Sequence, residues 1–149
     1  MTTILLIAHH ERLRQSLRDW LAIDLPQCRV IEATDTTAAI ELARTRTPRA
    51  IIIDIDDSHG NDLETLGHIH TSAPNAHIVT FGLDETEARR ASAVEAGATV
   101  YVPKSRMQTE LIPTLQAAFG IVDDENEKSV NPVARLAVVA GIIPTGGKR

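Results

Sequence analysis

Five short apolar runs alternate with five segments of helical periodicity within residues 1–120. The runs are TILLIA, CRVIEA, AIIID, HIVTF and TVYV, rich in the aliphatic and β-branched residues of strands buried on both faces. In the intervening segments apolar residues recur every three or four positions, as in Leu13, Leu17 and Leu21. Short connections between such elements favour right-handed crossovers. The pattern predicts an α/β domain with a doubly wound, five-stranded parallel sheet, a three-layer sandwich.

The chain changes character after the last helical segment, so residues 1–120 are predicted to be one domain. Residues 121–130, IVDDENEKSV, are acidic and typical of an exposed linker. Residues 131–149 form an appendage whose NPVARLAVVAGIIP stretch predicts a short apolar helix that docks on the domain or on a second copy. Within the last predicted helix of the domain, Pro113 removes a backbone hydrogen bond to Thr109 and is expected to bend the helix, unless a turn begins there.

Composition excludes several classes of protein. With 149 residues, 43% hydrophobic content and a formal net charge of −5, the chain is typical of an ordinary globular domain and not of a nucleic-acid-binding one. The tail has neither the length nor the basic helix that reading a DNA groove requires. Cys28 is the only cysteine, and no apolar run approaches a membrane span. We expect a cytoplasmic protein without nucleic-acid or membrane partners.

Asp54 ends the third apolar run, and Asp56 and Asp57 follow it closely. In open parallel sheets, ligands bind in the crevice beyond the carboxyl ends of the strands. A carboxylate at that point is therefore a candidate site residue. The alternative is an aspartate that only begins a turn or caps the next helix.

The order of the elements and several motifs resemble the receiver domains of two-component response regulators, most closely the NarL/LuxR-type receivers, which have the flavodoxin-like, CheY-like fold. The resemblance is almost ungapped from Ile4 to Gly120. It is carried by ILLIAHHERLRQSLRDWL, IIIDI, NDLETL, HIVTF, EAGATVYVPKS and AAFG. Each fragment alone is weakly specific, whereas their order and spacing are specific.

The resemblance implies a set of site residues. In such receivers an aspartate after the third strand accepts a phosphoryl group from a histidine kinase, with Mg²⁺ held by two acidic residues after the first strand. A hydroxyl residue after strand four and a lysine after strand five contact the phosphoryl oxygens. Position by position, this places Asp54 at the phospho-acceptor, Lys104 at the phosphate-contacting lysine and Tyr101 at an aromatic residue that changes orientation on activation.

The chain departs from the family pattern where the chemistry is most demanding. The acidic pair is replaced by Ala8 and His9, and a shift of one residue gives His9 and His10, again without an acid. The hydroxyl position is Gly82, because Thr80 lies two residues early and is expected to point to the other face. Mg²⁺ prefers oxygen ligands, and phosphoryl transfer depends on positioning and charge neutralisation. The sequence therefore predicts a degenerate phosphorylation site.

The favoured hypothesis is an atypical receiver, or pseudo-receiver, that is not an enzyme and needs no cofactor. It would act in two-component or related bacterial signalling by phosphorylation-independent protein recognition, while Asp54 forms a structural ion pair with Lys104. Its partners would be signalling proteins, among them a histidine kinase, or a second copy of the chain. The expected surface is the face of the fourth helix, fifth strand and fifth helix, with Tyr101 at its centre. In the fifth helix, Met107, Leu111 and Leu115 are expected to serve mostly as core.

Two other hypotheses remain. One keeps phosphotransfer with Mg²⁺ as cofactor, Asp56 or Asp57 replacing the missing acids and a protonated His9 shielding the phosphate. The other is a transition-metal or small-ligand site built from His9, His10, Asp54 and Asp56. Adjacent histidines after a strand point to opposite sides, which argues against the metal site.

Overall fold

The computed structural model describes residues 2–55 and 61–120. The strands are β1 Thr2–Ile7, β2 Cys28–Ala33, β3 Ala50–Asp54, β4 His77–Gly82 and β5 Val100–Pro103. The helices are α1 Glu11–Asp24, α2 Thr36–Arg46, α3 Asp62–Ser72, α4 Glu87–Ala96 and α5 Met107–Phe119, with a 3₁₀ turn at Lys104–Arg106 before α5. The strands pair in parallel in the order β2-β1-β3-β4-β5. The predicted doubly wound parallel sheet is confirmed.

The core consists of two apolar layers, one on each side of the sheet. Alternate residues of a strand face opposite sides, so Leu5 and Ile51 pack under α2, α3 and α4, whereas Leu6 and Ile52 pack under α1 and α5. Every residue of β3 is buried. This central position explains why its sequence is an unbroken apolar run, since neither face of the strand meets water.

The fifth helix is continuous through Pro113 from Met107 to Phe119. A proline inside a helix lacks the amide hydrogen of one backbone bond, and the rest of the helix is anchored by Leu111 and Leu115, which are fully buried. No new turn begins at the proline. The expected bend of the axis stays a prediction.

The rest of the predicted domain organisation is not covered by the described residues. The acidic linker at 121–130 and the appendage at 131–149 lie outside them and stay predictions. Among the helices in residues 2–55 and 61–120, none combines the length and the apolar character needed to cross a bilayer.

Candidate functional site

Asp54 and Lys104 form an ion pair at the carboxyl edge of the sheet. Asp54 is the last residue of β3 and its side chain is only 3% exposed. Lys104 follows β5 and reaches across the intervening β4, placing its Nζ 3.2 Å from Oδ1 and 3.3 Å from Oδ2 of Asp54. The ammonium also lies 5.8 Å from the ring centroid of Phe81. A buried carboxylate is costly without a counter-charge, so the observed pair offsets the burial of Asp54.

The carboxyl end of β1 offers no acidic side chain. Ala8 is buried, and His9 and His10 are exposed ahead of α1. Arg14 of α1 donates a hydrogen bond to the carbonyl of Ala8 at 3.1 Å and another to Glu32 of β2 at 3.0 Å. A guanidinium therefore borders the loop in which the resemblance implies two carboxylates.

The described residues at this edge do not fit the magnesium ion that the family implies. Ala8 has no side-chain donor, and the imidazole of His9 is a softer ligand than Mg²⁺ prefers. Of Ala8, His9 and Asp54, only Asp54 carries a carboxylate, and that carboxylate already contacts Lys104. In the part of the chain that the structure describes, no three histidine, cysteine or acidic side chains are placed to share an ion. Asp56 and Asp57 lie outside the described residues, so their role as substitute ligands stays a prediction.

Gly82 leaves room for the hydroxyl of Tyr101. A Cβ atom at Gly82, the last residue of β4, would lie 2.7 Å from the Ile55 carbonyl oxygen and 2.7 Å from the Tyr101 hydroxyl. The tyrosine hydroxyl donates a hydrogen bond to the carbonyl of Asp84, just beyond β4. The space next to the family's hydroxyl position is thus occupied by a side chain from the neighbouring strand. Glycine is the residue that fits this arrangement.

Tyr101 is an inward-facing residue in this structure, with 1% of its surface exposed. Burial raises the pKa of its hydroxyl, and the positive charge of Arg89 partly opposes that rise. Two arginines of α4 close over it: Arg90 donates to the Tyr101 carbonyl at 3.2 Å, and Arg89 donates to the Ile55 carbonyl at 3.2 Å. In this conformation Tyr101 therefore has almost no surface that a partner could contact. Its role as a switch or interface residue stays a prediction.

The expected orientation of Thr80 is wrong. Residues two apart on a strand point to the same face, so Thr80 lies on the face of Gly82. Its side chain is fully buried, and its hydroxyl donates to the carbonyl of Val100 on β5 at 3.1 Å. Thr80 lies two residues before the end of β4, and its hydroxyl is already hydrogen-bonded within the sheet. Thr80 does not replace the hydroxyl that Gly82 lacks.

The fifth helix contributes a half-buried acid that the sequence pattern did not single out. Leu111 and Leu115 are fully buried, which confirms their expected core role. Next to them, Glu110 has one buried carboxylate oxygen without a hydrogen-bond partner, and its other oxygen lies 3.5 Å from Arg106. Burial raises the pKa of Glu110, against the opposing charges of Arg106 and Arg90. No periodicity signal distinguishes such an acid from a solvated one.

Replacing Glu110 with glutamine is expected to stabilise the protein more at pH 7 than at pH 4. Below the ordinary value of 4.5 the carboxyl is largely neutral in both states. As pH rises through that value, the unfolded chain ionises first, so the wild type loses stability until the raised folded pKa is passed. Urea unfolding across this range measures the difference. Glu87→Gln, at a side chain 84% exposed, is the control, and a pH-independent difference for Glu110→Gln would contradict the assignment.

Comparison with known proteins identifies the family of the chain and agrees with its fold. The response regulator receiver domain model matches residues 4–116, and the chain therefore belongs to that family. The nitrate/nitrite response regulator NarL of Escherichia coli K12 is 32% identical over 120 residues, which are 79% of this chain and 55% of NarL. The chain spans about half the length of the curated relatives it matches. The predicted likeness to NarL/LuxR-type receivers is confirmed.

Solved structures give the same result. A LuxR-family two-component response regulator from Aurantimonas sp. SI85-9A1 has a TM-score of 0.71 and 27% identity, covering 92% of this chain and 96% of that one. A response regulator from Burkholderia pseudomallei, solved with a phosphorylated aspartic acid, a calcium ion and citrate, has a TM-score of 0.63. The two sequences are 22% identical, and the match covers 70% of this chain and 60% of that one, so the likeness is one of fold alone.

Proposed function

We propose that this receiver acts in two-component or related bacterial signalling by protein recognition that does not require phosphorylation of Asp54. The observation that carries the proposal is the set of side chains around the acceptor position. Ala8 and His9 stand where the family pattern has two acids, and Lys104 neutralises Asp54 directly. Since Mg²⁺ neutralises and positions the transferring group in phosphoryl transfer, such an edge favours neither gain nor loss of phosphate.

The size of the electrostatic loss supports this function. A carboxylate about 4 Å from a divalent ion contributes several kcal/mol of Coulomb attraction at an effective dielectric near 20. Each ~1.4 kcal/mol corresponds to a tenfold change in affinity. Water ligands recover part of the loss. The loss of two carboxylates is therefore expected to raise the dissociation constant for Mg²⁺ at this edge far above the millimolar range.

The contact between Gly82 and Tyr101 also supports the proposal, because it argues against a switch in Tyr101 driven by phosphate. The family's hydroxyl residue both binds phosphate and adjoins the aromatic position. Here that side chain is missing, and the hydroxyl of Tyr101 fills the adjoining space. Without a side chain between phosphate and tyrosine, a signal from Asp54 has no direct path to Tyr101.

The proposed partners are signalling proteins, and family membership supports a histidine kinase among them. The proposed surface is the α4-β5-α5 face, where the exposed side chains of Glu87 and Arg106 present charges of both signs. A second copy of the chain, bound through this face or through residues 131–149, is the alternative partner. In this proposal the protein is not an enzyme and holds no cofactor.

A ¹⁵N NMR titration with Mg²⁺ and then with beryllofluoride, a mimic of aspartyl phosphate, tests the proposal. At millimolar Mg²⁺ the wild-type amides of Asp54, Gly82 and Lys104 are expected not to shift. The double variant Ala8→Asp/His9→Asp restores the acidic pair and is expected to gain saturable, magnesium-dependent shifts at the same amides. This gain shows that the measurement detects binding when ligands are present.

Saturable shifts in the wild type that spread from Asp54 to Tyr101 would overturn the proposal. They would support the phosphotransfer hypothesis, in which Asp56 or Asp57 supplies the missing ligands. Asp54→Asn is the matched control for that outcome, because beryllofluoride adds to the carboxylate and not to the amide. Shifts that persist in Asp54→Asn would report non-specific ion binding, which leaves the wild-type edge without an acceptor function and agrees with the proposal.

A further inference from the structure

A basic pocket lies at the amino edge of the sheet, opposite Asp54. It is a cavity of about 370 Å³ between the α2–β3 and α3–β4 connections. Its polar lining includes the side chains of Arg44, Thr47, Arg49, Ser72 and Asn75, and its ten lining residues include no acid. The pocket therefore has the charge and hydrogen-bond donors that suit an anionic occupant.

The charge balance of the pocket favours an anion even after the neighbouring helices are counted. Helices α2 and α3 both end at the pocket, and each helix C-terminus carries roughly half a negative charge. Arg44 and Arg49 supply two full positive charges. Arg44 also contacts Glu41 at 2.6 Å, but both of those side chains are about 60% exposed and the pair is easily exchanged. A net positive charge remains for a ligand.

The pocket is joined to the end of the domain by a direct contact. Arg49 donates a hydrogen bond from its Nη2 atom to the carbonyl of Phe119, the last residue of α5, at 3.3 Å. Gly120 ends the helix in the left-handed conformation, with φ of 72°, and a Cβ there would meet nothing within 4 Å. The end of α5, from which the chain continues, therefore lies beside one of the two arginines.

The next residues of the chain are acidic. The segment after Gly120 reads IVDDENEKSV and carries Asp123, Asp124, Glu125 and Glu127. An extended residue spans at most about 3.6 Å, so Asp123 lies within about 14 Å of Phe119. Tethering at this length gives an effective concentration on the order of millimolar, so the docked state is populated if several charge contacts together reach a dissociation constant of about a millimolar.

We propose that the acidic segment 122–127 docks on the basic pocket formed by Arg44 and Arg49. Docking would hold this segment at the amino edge of the sheet, on the side opposite Asp54. The inference is independent of the proposed function, since it uses no residue of the Asp54 edge.

Limited proteolysis of the full chain with an endoproteinase that cleaves after glutamate tests the docking. Loss of both pocket charges in Arg44→Gln/Arg49→Gln is expected to raise the cleavage rate after Glu125 and Glu127 about fivefold, the factor that corresponds to about 1 kcal/mol. Arg12→Gln/Arg18→Gln removes the same charge from α1 and is expected to leave the rate unchanged. One molar salt, which shortens the screening length to about 3 Å, is expected to reproduce the effect in the wild type.

An NMR comparison tests the same contact without altering the pocket. Neutralising the segment with Asp123→Asn, Asp124→Asn, Glu125→Gln and Glu127→Gln is expected to shift the amides of Thr47, Arg49 and Ser72 and to leave Asp54 and Lys104 in place. Equal cleavage rates in all variants, together with unshifted pocket amides, would overturn the proposal. Shifts that appear only as protein concentration rises would also overturn it, because they would assign the pocket to a second copy.

Discussion

Replacing Lys104 with methionine lowers the free energy of unfolding by about 3 kcal/mol at pH 7. The variant keeps most of the apolar stem but removes the charge that lies 3.2 Å from the Asp54 carboxylate. Removing one partner of a buried ion pair costs about 3 to 5 kcal/mol, and the 19% exposure of Lys104 places this pair at the lower end. Urea denaturation followed by circular dichroism measures the change.

A double-variant cycle separates the pair from the packing of the lysine stem. Asp54→Asn/Lys104→Met removes both charges and is expected to be more stable than Lys104→Met alone, because no carboxylate is then left without the lysine's charge. A loss below about 0.5 kcal/mol for Lys104→Met would show that water screens the pair as it does a surface one. In that case the charge of Lys104 would not be what offsets the burial of Asp54.

Replacing Gly82 with alanine costs about 1 to 3 kcal/mol, the range of an overpacked core position. The added methyl group would stand 2.7 Å from both the Ile55 carbonyl oxygen and the Tyr101 hydroxyl. One of these atoms belongs to the backbone, which yields less readily than a side chain. Serine or threonine, the residue types of the family pattern, carry the same Cβ and are expected to cost at least as much.

The control for this substitution is the helical glycine of α3. A Cβ at Gly67 would lie 3.8 Å from the carbonyl of Ala96, an ordinary contact, and Gly67→Ala is expected to stabilise the protein by about 0.5 to 1 kcal/mol. Tyr101→Phe removes the hydroxyl and is expected to recover part of the Gly82→Ala loss. If Gly82→Ala proves as harmless as Gly67→Ala, the inward Tyr101 is not the reason for glycine at this position.

The fold was predictable from the chain because its signals are local. In β3, three consecutive isoleucines bounded by Ala50 and Asp54 indicate a strand buried on both faces, and the structure buries all five residues. The helical stripe of Leu17 and Leu21 lies in the core as its spacing predicts. Apolar residues recur every two positions in a strand and every 3.6 in a helix because of backbone geometry. The pattern is therefore visible in the sequence of any strand or helix that buries one face.

The contacts at the site were only partly predictable. The pairing of Asp54 with Lys104 was expected from the resemblance to receiver domains, which places both residues at the phosphorylation site. The fit between Gly82 and Tyr101 was not, and Thr80 was assigned to the wrong face. The fit of Tyr101 against Gly82 depends on the register of β4 against β5, in which Thr80 lies opposite Tyr101. The face of Thr80 does not depend on register, because strand alternation alone places Thr80 with Gly82.

The sequence by itself determined the order of strands and helices, the family, the acceptor-position aspartate and the absence of acids at Ala8 and His9. Those features depend on residue identity and on spacing along one chain. The tertiary structure alone decided that Tyr101 is buried beside Gly82, that Glu110 is half-buried, and that Arg49 reaches the end of α5. The reason is physical, since burial and charge pairing depend on distances between elements remote in the chain, which are set only when all the layers pack together.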